Sequence, residues 1–223
     1  LPTAYAAPIP VRDLRQITRH REWLVRQRTQ AKNRVHAVLA SYNLIAPQTD
    51  LFGQAGRQFL NEAQANSLRP AAQRVMADNL ALIDHLDQQI NSLEAEIQLS
   101  EEQAQAVQLL KTIPGIGQLT ATIMIAEIGD VQRFSSAKAL CNWAGLTPRV
   151  RQSDTFVRHG RISKQGSPYL RAAMVRAAAV ASRCSKRWYL LHERLVPRCG
   201  KKAAKVAVAR HLLTVAYHML GRQ

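Results

Sequence analysis

The segment TIPGIGQLTATIMIAEIGD, residues 112–130, decides how the second half of this chain folds. Gly115 and Gly117 stand beside Pro114 at the start of an apolar run, and Gly129 follows that run. Glycine adopts positive φ at little steric cost, so it can turn the chain before a helix and end the helix after it. The pattern predicts a helix, a glycine bend and a second, largely apolar helix that ends at Gly129.

The glycine bend resembles the helix-hairpin-helix motif, in which backbone N–H groups at the start of the second helix face a phosphate. Unpaired N–H groups and the helix dipole both attract an anion, and a bare backbone lets it approach closely. Gly115 and Gly117 are therefore predicted nucleic-acid-binding residues. Such a contact positions DNA without reading its sequence. The alternative is a helical corner packed inside a protein core.

The charge of the chain favours a polyanionic partner. Lysine and arginine number 31 against 15 acidic residues, for a net charge of +16, and DNA is the partner class that this imbalance predicts. No apolar run approaches the roughly 20 residues that span a bilayer, so no membrane partner is expected. The three cysteines form no C-x-x-C pair and the histidines do not cluster, which predicts a reducing cytoplasm and no metal site in this chain.

The first half of the chain carries apolar or long residues at alternating spacings of three and four, over residues 14–38 and again over 76–97. This heptad pattern predicts an antiparallel coiled-coil arm and a homo-oligomer, a dimer or a tetramer, although it leaves pairing within one chain and between two chains both open. Cations outnumber Asp13 and Glu22 on the first helix, which favours a polyanion contact there.

Turn-forming residues mark the other boundaries. Residues 43–70 predict a loop with one short helix near 56–67, and residues 146–166 predict a basic extended loop or hairpin. Ser167 followed by Pro168 predicts the start of a further helix. The predicted fold is mainly α, with a linker over 1–10, a basic helix and coiled-coil arm over 11–102, and a helical DNA-binding domain over 103–223.

Three quoted segments, TIPGIGQLTATIMIAEIGD, NWAGLTPRVRQSDT and GRISKQGSPYLRAAM, together with the basic helix RDLRQITRHREWLVRQRTQAKNRVHAVL, resemble the C-terminal part of the insertion-sequence 110 family of transposases, which includes the Piv-type invertases. The resemblance implies a longer enzyme whose N-terminal RuvC-like domain holds magnesium on four acids. This chain begins after the point where that domain is expected to end, so no cofactor is expected in it and it is expected to be inactive alone. Some members of the family are guided by a structured noncoding RNA, which makes such an RNA a further candidate partner.

The resemblance implies that the nucleophile is Ser153, in RQSDT. A serine oxygen that attacks a phosphodiester stores the bond as a phosphoserine link, and nearby cations stabilise the transition state. Asp154 departs from the family pattern, which usually has glycine there, and its carboxylate would repel a phosphate. Ser163 and Ser167 are fallback nucleophiles. The further predicted nucleic-acid-binding residues are Arg149, Arg151, Arg158, Lys164 and Arg171.

A second interpretation assigns no chemistry to the chain. In it the glycine bend and the surrounding cations form a non-catalytic helix-hairpin-helix scaffold for nucleic acid. His159 is close enough in sequence to Ser153 to accept its proton, but a loop histidine in a basic segment is more commonly solvated. The two functions differ in whether a covalent protein–DNA species forms.

Overall fold

The computed structural model of this protein describes residues 5–153 and 156–221, with the side chains of 151–159 not described. Over those residues the chain is mainly helical, with one two-stranded antiparallel sheet, as the sequence predicts. The elements in chain order are α1 (Ile9–Ser41), α2 (Gln54–Asn66), α3 (Pro70–Ala95), α4 (Glu101–Lys111), α5 (Gln118–Ile128), α6 (Ala137–Trp143), β1 (Pro148–Ser153), β2 (Phe156–Ile162), α7 (Pro168–Cys184) and α8 (Lys186–Leu220).

The chain forms two compact units. The arm unit is Arg19–Ile97, and the basic unit is Leu1–Thr18 together with Gln98–Gln223. Within the described residues no helix is both long enough and apolar enough to cross a bilayer. Helix α1 thus begins in one unit and continues in the other, whereas the sequence predicts one arm that starts at residue 11.

The arm unit is built on the apolar seam that the heptad pattern marks. Leu24 clusters with Leu86 and Ile90, while residues later in α1 cluster with residues earlier in α3, so the two helices run antiparallel. Ion pairs join the same helices: the Arg21 Nε lies 2.6 Å from the Glu94 Oε1. Arg28 pairs in the same way with Asp87. Acidic residues of α3 thus neutralise Arg21 and Arg28, which the heptad pattern counts among the long residues of the seam.

Tyr5 and Arg15 contact the helical part of the basic unit, whereas the sequence predicts a linker over 1–10. The Arg15 Nε donates to the carbonyl of Ala126 at 3.0 Å, at the C-terminal end of α5. The Asp130 N–H donates to the Tyr5 hydroxyl at 3.3 Å, and the Arg133 guanidinium lies 4.3 Å from the centre of the Tyr5 ring. A cation beside the last carbonyls of a helix offsets their partial negative charge. These contacts explain why residues up to 18 group with residues far along the chain.

Helix α5 is the central element of the basic unit. Every residue from Ala121 to Ile128 is buried, so this helix is apolar all round, as expected of a core helix. It packs with α4, α7 and the second part of α8 in one apolar core. The predicted end at Gly129 and start at Ser167 are confirmed: Gly129 ends α5 with φ 64°, and the Ser167 hydroxyl accepts the capping hydrogen bond of α7. The Ser136 hydroxyl caps α6 in the same way.

Candidate nucleic-acid interface

The β1–β2 hairpin carries the predicted nucleophile at the end of its first strand. Ser153 is the last residue of β1 and pairs with Phe156, and Arg151 pairs with Arg158. In an antiparallel ladder, paired residues and residues two apart along one strand belong to the same face. The register therefore assigns Ser153, Arg151 and Arg158 to one face of the hairpin. It pairs His159 with Val150, on the other face.

The base of this hairpin is fixed by two glycines that press backbone against backbone. Gly145 follows α6 with φ 70°, and Gly166 precedes α7 with φ 68°. A side-chain carbon on Gly145 would overlap the backbone of Gln165, and one on Gly166 would overlap the carbonyl oxygen of Trp143. The segments Gly-Leu-Thr-Pro and Ser-Lys-x-Gly thus form a single interlocked junction, which we call the hairpin base (residues 143–147 and 163–167).

Two backbone hydrogen bonds close the hairpin base. The Ser163 N–H donates to the Thr147 carbonyl at 2.9 Å, and the Lys164 N–H donates to the Gly145 carbonyl at 3.2 Å. Lys164 itself has φ 57°, a left-handed conformation that costs a non-glycine residue about 1 kcal/mol or more. The sequence marks both segments by resemblance alone, and only the structure shows that they contact each other.

Arg171 holds the hairpin base from the first turn of α7. Its Nη1 donates to the carbonyls of Gln165 at 2.7 Å, Ala144 at 3.2 Å and Gly166 at 3.2 Å. Burial lowers the pKa of the Arg171 guanidinium from its usual value, but the group stays charged because that value is so high. This contact is internal, so the predicted contact of Arg171 with nucleic acid is not needed to explain why an arginine stands here.

Three further cations of the hairpin and its base, among the side chains that the structure describes, are at the surface. Arg149 is exposed, and its Nη2 donates to the Ser163 carbonyl at 3.2 Å, which keeps it beside the hairpin base. Arg161 and Lys164 are also exposed. Arg149 and Lys164 are therefore placed to meet an anion at the foot of the hairpin that carries Ser153.

The two fallback serines are poorly placed for attack on a DNA strand. Ser167 is 7% exposed, and its Oγ accepts the Leu170 N–H at 3.2 Å as the N-cap of α7. The Ser163 Oγ is buried and makes no hydrogen bond to any residue that the structure describes. Asp154 lies outside the described residues, so its effect on Ser153 stays a prediction.

The glycine bend between α4 and α5 has two different faces. Gly115 has φ 87°, and a side-chain carbon there would lie 2.7 Å from the Ala181 N and 2.9 Å from the Ala181 Cβ of α7. Close packing against α7 therefore explains why glycine is required at position 115. Gly117 is exposed at the N-cap of α5, with no atom within 4 Å of a side-chain carbon placed on it. Phosphate contact at this bend remains a prediction, and Gly117 is the residue with room for it.

The described residues offer no cluster of metal ligands. Within the ranges that the structure describes, no three histidine, cysteine or acidic residues converge as a metal ion requires. Cys141 is buried and Cys184 and Cys199 are exposed, all as free thiols.

Comparison with known proteins agrees with the order of these segments. Residues 107–193 match the model of the transposase IS116/IS110/IS902 family, and they include the glycine bend, the hairpin and α7. A probable family 20 transposase of Pseudomonas aeruginosa is 30% identical over 96% of this chain and 67% of its own length. The transposase for insertion sequence element IS1111A of Coxiella burnetii is 27% identical over 95% of this chain and 59% of its own length.

A pilin gene-inverting protein of Moraxella bovis is 35% identical over 62% of this chain and 43% of its own length. The chain therefore spans between about two fifths and two thirds of the length of these three relatives. The relatives include both transposases and a DNA-inverting protein, which supports a role in transposition or recombination. By the sequence it shares with them, the chain belongs to the IS116/IS110/IS902 family of transposases.

Proposed function

We propose that this chain is the DNA-binding, nucleophile-bearing portion of a transposase or site-specific recombinase, and that Ser153 forms a transient phosphoserine link to DNA. The observation that carries this proposal is the register of the hairpin. It assigns Ser153, Arg151 and Arg158 to one face, on a strand pair whose base is interlocked through Gly145 and Gly166.

The proposed step is an attack of the Ser153 Oγ on the phosphorus of a DNA phosphodiester. A bond forms between Oγ and phosphorus, the bond from phosphorus to one sugar oxygen breaks, and the serine proton is given up as that sugar leaves as a free hydroxyl. The phosphodiester is conserved as a phosphoserine ester, so a second DNA hydroxyl can reverse the step on a new strand. No hydrolysis and no outside energy source are needed.

The cations around the hairpin would carry the electrostatic part of the step. Arginine donates paired hydrogen bonds to phosphate oxygens, and charge on those oxygens increases in the transition state. Arg151 and Arg158 belong to the Ser153 face, while Arg149 and Lys164 stand exposed near the hairpin base. These four residues would bind the DNA backbone about the scissile phosphate. Gly117 would add backbone N–H groups of α5 at a neighbouring phosphate.

The family implies a magnesium site, and the described residues of this chain do not fit one. The family resemblance implies that this site belongs to an N-terminal domain of a longer enzyme, and on that ground we propose that the chain alone is inactive. Bound there, magnesium would stabilise charge on the reacting phosphate. Nothing proposed for Ser153 or its arginines depends on where that ion lies.

We also propose that the enzyme acts as a dimer or a tetramer. Val75 and Leu82 are 44% and 45% exposed on α3 and lie seven residues apart, so they share a face outside the buried seam of the arm unit. Such a face is available to a second copy of the chain. A structured guide RNA is proposed as a further partner on the strength of the family resemblance and the +16 charge.

To test the proposal, this chain is fused to the N-terminal portion of one of its relatives. The fusion protein is incubated with target DNA, magnesium and any guide RNA. A covalent protein–DNA species is expected on a denaturing gel, absent in Ser153→Ala and present in the matched control Ser163→Ala. Loss of the species in Ser163→Ala alone, or its persistence in Ser153→Ala, would move the nucleophile elsewhere.

The alternative, a non-catalytic helix-hairpin-helix scaffold, is favoured by one observation, the open N-terminus of α5 at Gly117. It predicts binding that weakens steeply with salt and no covalent species under any condition. Both functions require salt-sensitive binding of DNA. Absence of DNA binding at low salt would therefore contradict both.

A further inference from the structure

Helix α8 is two helical segments that fold against each other. Gly200 has φ 80° and ψ 160°, which are not helical angles, and Pro197 stands just before it. Arg187 and His211 line the same cavity. In a straight helix they would be about 36 Å apart, at 1.5 Å per residue. The chain therefore turns back at Gly200, and the turn creates a cavity of about 380 Å³ between the two segments.

The cavity has an apolar wall and a cationic rim. Trp188, Leu190 and Leu191 form the wall. Trp188 is buried at 5% exposure, and Leu190, at 55% exposure, opens the wall to solvent. Arg187, Arg194 and His211 supply the polar lining, and none of the lining residues is acidic. Clefts of roughly 300–1,000 Å³ with an apolar lining and a few polar groups are typical of small-ligand sites.

No carboxylate neutralises the rim. Glu193 is the single acidic residue after Asp154, and it lies 3.1 Å from the Nδ1 of its neighbour His192. In the described part of the chain, Arg187 and Arg194 form no ion pair with an acid, and the Arg187 guanidinium lies 5.0 Å from the centre of the Trp188 ring. A concave surface lined by one sign of charge focuses its field, so this cavity attracts an anion.

The surroundings indicate which anion. Arg198, Lys201 and Lys202 are exposed at the Gly200 turn, and Lys205 is half-buried in the following turn. A small isolated anion would not contact these cations outside the cavity. A nucleic-acid strand could, because it carries a phosphate at every nucleotide. The accessible apolar wall at Leu190 and Leu191 also suits the face of one base, since unstacked bases pack against apolar as well as aromatic side chains.

We propose that the α8 cavity binds one unpaired nucleotide of a nucleic-acid strand, with its phosphate between Arg187 and Arg194 and its base against the accessible wall at Leu190 and Leu191. The proposal rests on the nucleic-acid binding proposed above and adds a preference for strands with an unstacked base. A volume of about 380 Å³ leaves room for a single nucleotide. Such a site would favour DNA that is opened or kinked, or a bulge in a structured RNA.

The experiment measures the affinity of the full 223-residue chain for four labelled hairpins: fully paired DNA, DNA with one bulged thymidine, the same bulge without its base, and the RNA equivalent of the bulge. We expect tighter binding to the bulged thymidine than to the abasic bulge, by about twofold or more, because the base buries apolar surface against Leu190 and Leu191 that the abasic bulge lacks. A matching preference for the RNA bulge would identify RNA as a second source of the nucleotide.

The variants decide whether the α8 cavity is the site. Arg187→Gln with Arg194→Gln should abolish the preference for a base, and so should the exposed-wall variant Leu190→Ser. The control, Arg198→Gln with Lys202→Gln, removes the same charge outside the cavity and should weaken binding to all four hairpins while keeping the preference. Thermal unfolding of each variant checks that it folds.

Two results would overturn the proposal, and they differ from failure of the proposed function. Equal affinity for the bulged and abasic hairpins would remove the nucleotide site while leaving DNA binding and the Ser153 chemistry intact. Loss of the preference in the control variant as well would assign it to overall charge. Absence of any binding to the four hairpins would contradict the proposed function and the nucleotide site together.

Discussion

The Cα of Gly166 faces the carbonyl oxygen of Trp143 so closely that no side-chain carbon fits between them. Gly166 also has φ 68°, a conformation that L side chains rarely adopt. Two independent reasons therefore require glycine at this position, and both act at the base of the hairpin that ends in Ser153. The position of Ser153 thus depends on a contact made more than ten residues away along the chain.

Gly166→Ala should lower the free energy of unfolding by roughly 2 kcal/mol or more, from left-handed strain plus steric overlap. Urea unfolding of the 223-residue chain measures this. The control Gly160→Ala lies on β2, where a side-chain carbon meets only ordinary contacts at 3.5 Å or beyond, and it should cost much less. Comparable losses in both variants would show that the junction with Trp143 is not tight in solution.

The glycine bend allows folding and binding to be separated. Gly115→Ala should destabilise the chain by roughly 1–3 kcal/mol, because its side chain would press on Ala181 of α7 and its φ is positive. Gly117→Ala enters open space and should change stability by less than about 0.5 kcal/mol.

If a phosphate approaches the start of α5, Gly117→Ala should nonetheless weaken DNA binding several-fold. Titration of labelled duplex at low salt measures the binding, and the unfolding curve of the same sample reports stability. Unchanged affinity in Gly117→Ala would assign the bend to packing alone.

Local chemistry allowed the ends of many elements to be predicted. A serine oxygen that can accept an N–H starts α6 and α7, and a glycine with positive φ ends α5; each signal lies within a few residues of the structure it directs. Heptad spacing likewise predicts the seam of the arm unit, because the spacing of apolar residues along the sequence follows the periodicity of a helix. The hairpin followed from turn-forming residues between two short basic stretches.

Contacts between distant segments could not be predicted in this way. Gly115 is explained by α7, which begins more than fifty residues later, and the partners of Arg21 lie on another helix. The sequence predicts that Arg171 binds nucleic acid, because the charge of an arginine is known from the sequence. Its three carbonyl partners are known only from the structure. The cavity on α8 could not be predicted either, because its lining residues lie on both sides of Gly200 and only the turn at Gly200 brings them together.

Arg171 offers a test of how firmly the hairpin base is held. Arg171→Met keeps the length and apolar stem of the side chain but removes the donor to the carbonyls of Ala144, Gln165 and Gly166. Unsatisfied carbonyls at a partly buried site should cost about 1–3 kcal/mol. Limited proteolysis should then cut more rapidly within residues 147–165.

The matched control for this effect is Arg161→Met, an exposed arginine on β2. It removes the same charge, so it should weaken DNA binding to a similar degree without speeding cleavage. Equal protease sensitivity in the two variants would mean that Arg171 contributes charge rather than support.

His211 should report occupancy of the α8 cavity through its protonation. Burial lowers the pKa of this imidazole below its usual 6.5, and the neighbouring Arg210, Arg187 and Arg194 lower it further. A phosphate between Arg187 and Arg194 would offset that positive charge and raise the pKa again. Binding of the bulged hairpin should therefore take up a proton, and affinity should increase as the pH falls from about 7 toward 6.

The free chain should show the opposite trend in stability. Because the folded-state pKa of His211 is below the unfolded value, the unfolded chain binds the proton first, so this residue's contribution is complete above about pH 6.5 and is lost as the pH falls through the folded pKa. Proton NMR of the imidazole, with and without the bulged hairpin, measures both pKa values. His211→Gln should remove the linked proton uptake, and a pKa that does not change on binding would show that no phosphate enters the cavity.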